Sequence, residues 1–134
     1  TLAEDKGGFG VIILLDTSTA TCFLTVVDDE ARQDFEWQAG RTLARGLLKF
    51  LEEKTGNLHD IGGIGVMKGP GSFTGLRIGL TVANTLADSL SVPIVGAAGE
   101  DWREIALKKL RAGENEKIVM PEYGAAAHIT TPRK

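Results

Sequence analysis

The order of apolar runs predicts an α/β fold: a three-strand antiparallel meander leading into alternating helices and strands, with a mixed sheet flanked by helices. Three observations carry this. Val11-Ile-Ile-Leu-Leu15 is a continuous apolar run, as expected of a strand buried on both faces. Thr21–Val27 is rich in β-branched residues, and Arg32–Trp37 alternates; both follow at turn-length spacing. Beyond Gly40, helical periodicity and short apolar runs take turns along the chain.

Each element can be justified in order. Residues 1–10 read as a flexible lead, polar and without a signal-peptide core. The first strand ends in the hydroxyl-rich turn Asp16-Thr-Ser-Thr19, and Asp28-Asp29-Glu30 turns the second strand into the third. The third strand, Arg32–Trp37, is expected nearer the sheet edge. A helix over Gly40–Lys54 is stopped by Gly56 and Asn57. Ile61–Met67 reads as a fourth strand, Gly69–Ser72 as a tight loop, and Phe73–Ser89 as a second helix. Val92–Val95 is a short strand, Glu100–Arg111 a third helix stopped by Gly113, and Lys117–Met120 one last short strand. The expectation is a single domain over 11–120, with an irregular tail over 121–134. This order, β-β-β-α-β-α-β-α, is the layout of one ribonuclease H-like, or actin-like, lobe.

Composition narrows the function. At 134 residues and 43% hydrophobic, the chain is sized for one domain with a real core. Fifteen basic against 18 acidic residues leave a net charge of −3, which does not suit a stand-alone nucleic-acid binder. A single cysteine, Cys22, excludes a disulfide framework and points to a reducing compartment, the cytoplasm. No apolar run approaches the roughly 20 residues that span a bilayer, so no membrane role is expected. Neither His59 nor His128 has a second ligand at helical or hairpin spacing, so no metal site is expected. No Gly-x-Ser-x-Gly elbow supports a nucleophilic triad.

The sharpest local signal is Lys68-Gly-Pro-Gly-Ser-Phe-Thr-Gly-Leu-Arg-Ile-Gly79, where a strand feeds a glycine turn and a helix begins at once. Ser72 can cap that helix, and a loop holding Gly69, Gly71 and Ser72 at a helix start can also meet an anion. The residues alone allow either reading. They do exclude a P-loop, because its Gly-Lys-Ser/Thr ending is absent. Asp16-Thr-Ser-Thr19 occupies the hairpin that carries a phosphate turn in actin-like ATPases. Without that turn's glycine it reads as a β-turn whose Asp satisfies local N–H groups.

The two main helices carry more apolar surface than one sheet contact requires. In the first, Leu43, Leu47, Leu48 and Leu51 lie within a wide apolar arc. In the second, Arg77, Thr81, Asn84 and Asp88 form a narrow polar stripe, and Gly75, Gly79 and Ala83 form a smooth ridge at i, i+4, i+8. The expectation is that Leu43, Leu47, Leu48, Leu51, Gly75, Gly79 and Ala83 form a partner interface, against the alternative of packing within the chain.

Leu15-Asp-Thr-Ser-Thr19, the stretch Gly69–Gly79 and the continuation to Pro93-Ile-Val-Gly96 resemble the TsaB/YeaZ family over roughly residues 11–98. Ser72-Phe-Thr74 in the loop is similar to this family rather than to its catalytic relative TsaD. The resemblance implies an actin-like (ASKHA) fold and a non-catalytic dimerisation subunit of the tRNA threonylcarbamoyladenosine (t6A) machinery. It implies TsaD as partner through a helical bundle, TsaE as a further partner in bacteria, and a homodimer when alone. Transfer RNA would be met only through the complex. The chain ends where the family's second lobe would begin, which implies a shortened, single-lobe member. The isolated chain is then expected to hold no cofactor, with ATP or ADP only at an interface with a partner, around Gly69, Gly71 and Ser72. The alternatives are a small actin-like ATP-binding enzyme of kinase or phosphatase type, and a self-associating homodimer of other role.

Overall fold

A computed structural model describes residues 10–122, so the lead over 1–9 and the tail over 123–134, with His128, lie outside the described residues. β1 (Val11–Asp16) pairs antiparallel with β2 (Thr21–Asp28), which pairs antiparallel with β3 (Ala31–Gln38). On its other side β1 pairs parallel with β4 (Ile61–Met67), and β4 parallel with β5 (Ile94–Ala97). The sheet order is β3-β2-β1-β4-β5, so the meander and the mixed sheet are those the sequence predicts, with β3 at one edge.

Helices α1 (Leu43–Thr55, entered by a 3-10 turn over Gly40–Thr42), α2 (Phe73–Leu90) and α3 (Trp102–Arg111) complete the three layers. Strand side chains alternate between faces. Ile13 and Leu15 of β1 therefore join α1 and α2, while Ile12 and Leu14 join Trp102, Ala106, Leu107 and Leu110 of α3. Burial on both faces is why β1 reads as an unbroken apolar run. Among the described residues β3 has a strand neighbour on one side only, and its Arg32, Asp34 and Glu36 are exposed.

The third part of the prediction changes in detail. β5 begins at Ile94 rather than Val92, because the Val92 N–H closes the end of α2 by donating to Ala87 O at 3.0 Å. α3 starts at Trp102 rather than Glu100. Lys117–Met120 is not a strand. Of its apolar residues only Val119 is buried, while Ile118 and Met120 are 63% and 68% exposed.

The expected partner interface also needs correction, since most of it faces inward. Leu43, Leu47 and Leu51 are buried under α1, each contributing roughly 1.5–3 kcal/mol by leaving water. Ala83 is buried in the same core, and Gly79 is buried where α2 crosses the β1–β2 turn. A Cβ on Gly79 would overlap the Thr17 side chain, lying 2.8 Å from Cγ2, and one on Gly75 would overlap the Thr17 carbonyl oxygen. The smooth ridge is thus what lets α2 settle onto its own chain. Only Leu48 of the seven residues is fully on the outside.

Cys22 lies on the α1–α2 side of β2 and is buried. Burial, helped by the negative charge of Asp16, pushes its thiol from the ordinary 9.0 up to about 12.

Two outcomes follow. Gly79→Leu should leave the chain unfolded by circular dichroism. Even Gly79→Ala should lower the urea midpoint, because overpacking of about 1–3 kcal/mol outweighs the ~1 kcal/mol that alanine gains in helix propensity. A stable Gly79→Leu protein would show that the ridge is not internal. For Cys22, the unfolded thiol ionises above about pH 9 while the folded one keeps its proton, so stability should fall as pH rises from there toward 12. At pH 8 an aromatic disulfide reagent should label Cys22 no faster than the chain unfolds; prompt labelling of native protein would contradict its burial.

Candidate functional site: the loop at the start of α2 and the outer helix face

The two motifs singled out in the sequence meet in space. Ser72 N–H donates to Ser18 O at 2.8 Å, tying the Gly69–Ser72 loop to the β1–β2 turn. Thr17 Oγ1 donates to Gly75 O at 2.8 Å, which fastens the first turn of α2 to the same place. Gly71 carries no Cβ because one would sit 2.8 Å from Ser18 O. Asp16 accepts from Ser18 N at 2.8 Å and from Ser18 Oγ at 2.6 Å, the role the local reading of that turn gives it. Ser72 is the N-cap of α2, its Oγ accepting from Gly75 N at 3.3 Å.

Chemically, the loop is a fixed corner more than an open cradle. Two N–H groups at this helix start, those of Ser72 and Gly75, are already used within the chain. Gly69 is buried and Ser72 exposed, and the Gly69–Pro70 peptide is cis. No three His, Cys, Asp or Glu side chains stand together as metal ligands among the described residues.

A second surface lies beside this corner. Because α2 turns its small residues inward, Phe73, Arg77, Ile78, Thr81 and Val82 line a groove against Ala44 of α1, about 330 Å³ in volume. The Arg77 guanidinium stands 5.3 Å from the centre of the Phe73 ring, a cation–π arrangement. Phe73 is 55% exposed, and Leu48, one turn beyond Ala44 on α1, is 48% exposed. Ala44, Phe73, Ile78 and Val82 belong to the wide apolar faces of the two helices but are not among the seven interface residues the sequence singles out. The signal was present: the polar stripe of Arg77, Thr81 and Asp88 marks the outward side of α2, opposite the buried ridge.

Comparison with known proteins now bears on both surfaces. The family model for TsaD, tRNA N6-adenosine threonylcarbamoyltransferase, matches residues 40–98, which hold α1, the loop, α2 and β5. Two curated relatives carry the name tRNA threonylcarbamoyladenosine biosynthesis protein TsaB. The one from Buchnera aphidicola subsp. Schizaphis graminum is 27% identical, over 85% of this chain and 59% of its own. The one from Haemophilus influenzae is 28% identical, over 78% of this chain and 46% of its own. The chain thus spans about half the length of the curated relatives it matches. A crystal structure of a Pseudomonas aeruginosa protein with similarity to the peptidase YeaZ superposes with a TM-score of 0.59 at 29% identity, covering 66% of this chain and 43% of that one. The TsaB relatives reach well beyond the segment matched by the TsaD model, and the fold is that of a YeaZ-like lobe. Over the part it shares with them, this chain is similar to proteins of the TsaB/YeaZ family.

Proposed function

We propose that this chain is a non-catalytic binding subunit of the t6A machinery, and that it engages TsaD through the outward face of α1 and α2. The observation that carries this reading is the groove between those helices, lined by half-exposed Phe73, with half-exposed Leu48 one turn beyond Ala44 on α1. Apolar side chains held at a surface by a rigid helix pair gain about 25 cal/mol for each Å² they remove from water, with little ordering cost. The names of the relatives support a place in t6A biosynthesis, and the likeness to the TsaD model over residues 40–98, which hold α1 and α2, supports a TsaD helix pair comparable to this one. Two similar helix pairs are suited to pack face to face as a four-helix bundle.

Other features of the proposal follow from the same surfaces. Alone, the chain would use this face to form a homodimer about a two-fold axis. With a net charge of −3, it would meet tRNA only inside the complex, in the cytoplasm. ATP or ADP, and TsaE with them, would be engaged only where a partner completes the Gly69–Ser72 corner.

Leu48→Glu and Phe73→Glu should each weaken co-purification and titrated binding with TsaD of the same organism by tenfold or more, about 1.4 kcal/mol. Their melting temperatures should stay close to that of the unchanged protein, since neither side chain is buried. Binding that survives both substitutions would move the interface elsewhere.

A further inference from the structure

The segment after α3 is held in an unusual way. Among the described residues β5 is the last strand of the sheet, so one side of it has no neighbouring strand there. Its outward groups are nevertheless covered. Ile94 N–H donates to Asn115 Oδ1 at 3.1 Å, and Ile94 O accepts from Glu116 N at 2.8 Å. Gly96 N–H donates to Glu116 Oε1 at 3.2 Å, and Gly96 O accepts from Lys109 Nζ at 2.8 Å. Three side-chain bonds and one backbone bond here do what a sixth strand would do.

Further along, the chain docks by backbone and one side chain. The Asn84 amide on α2 makes both bonds to one residue: Nδ2 donates to Val119 O at 3.0 Å, and Oδ1 accepts from Val119 N at 2.9 Å. The Val119 side chain is 2% exposed and fits over Gly96, where a Cβ would come within 2.5 Å of Cγ1. Glu122 N donates to Lys68 O at 2.6 Å, and the Glu122 carboxylate lies 3.3 Å from Lys68 Nζ. Gly69 lacks the Cβ that would collide with Glu122 O. Between these anchors Ile118 and Met120 project outward.

This is how a groove recognises an extended peptide: backbone bonds for affinity, a pocket for one side chain, and a charge at fixed spacing. We propose that Asn84, Gly96, Lys68 and Gly69 form a peptide-docking groove, and that Val119–Glu122 is its ligand, bound in cis. The groove selects an apolar β-branched residue followed three positions later by an acid. Just upstream of the docked segment, Asn115 and Glu116, with Lys109 of α3, close the β5 edge, which would otherwise be a template for strand addition.

The test uses the full chain and a labelled peptide of residues 116–122, Glu-Lys-Ile-Val-Met-Pro-Glu. Val119→Asp should release the segment while circular dichroism keeps its helical signal. Fluorescence anisotropy should then show the peptide binding that variant at least tenfold more tightly than the unchanged chain, whose groove is filled. Adding Asn84→Ala should remove that gain. Hydrogen exchange on the unchanged protein needs no variant: the Ile94, Gly96 and Val119 amides should exchange together, at least tenfold faster than Ile64 and Val66 of β4. Equal protection across these amides would overturn the proposal. So would a Val119→Asp chain that unfolds, or one that binds the peptide no better than the original.

Discussion

The structure turns on the contact between Thr17 and the small face of α2. Thr17 is buried at the end of β1, and its hydroxyl donates to Gly75 O at 2.8 Å. Gly75 and Gly79 allow the helix to come down to that distance. This single close approach sets the rotation of α2 about its axis. With the ridge pinned inward, Leu76, Leu80 and Ala83 enter the core, and Phe73, Arg77 and Thr81 are carried outward. The outer groove with α1 is therefore a consequence of the contact at the turn.

The same contact links the two sequence motifs that stood out separately. Asp16–Thr19 and Gly69–Ser72 are more than 50 residues apart, yet Ser18 O receives the Ser72 N–H at 2.8 Å. Their composition of small and hydroxyl residues suits this packing, because each must present a backbone group at short range. The features that first suggest an anion site are thus largely spent in joining a helix to a hairpin. The function is best sought on the surface that this joint exposes.

Much of the fold was legible because burial leaves strong patterns. β1 and β4 read as apolar runs since helices cover both their faces, and Ile61–Met67 needed no adjustment. The direction of the α2 ridge was not legible. Glycine and alanine at i, i+4, i+8 suit any close neighbour, and only the tertiary structure shows that the neighbour is Thr17. Lys117–Met120 failed as a strand for a related reason: Ile118 and Met120 are apolar but outward, while the outer groups of β5 are met by the side chains of Lys109, Asn115 and Glu116 and by the Glu116 N–H. Asn84 reads in the sequence as one member of a polar stripe, and its paired bonds to Val119, 35 residues away, left no periodic trace.

The central claim is that α2 shows one side to its own sheet and the opposite side to a partner. Amide hydrogen exchange of this chain, measured with and without TsaD, tests it most directly. The account predicts new protection over residues 44–48 and 74–82, together with unchanged exchange over α3 and β5. Protection confined to α3 or β5, or no change anywhere in a complex shown to form, would contradict it.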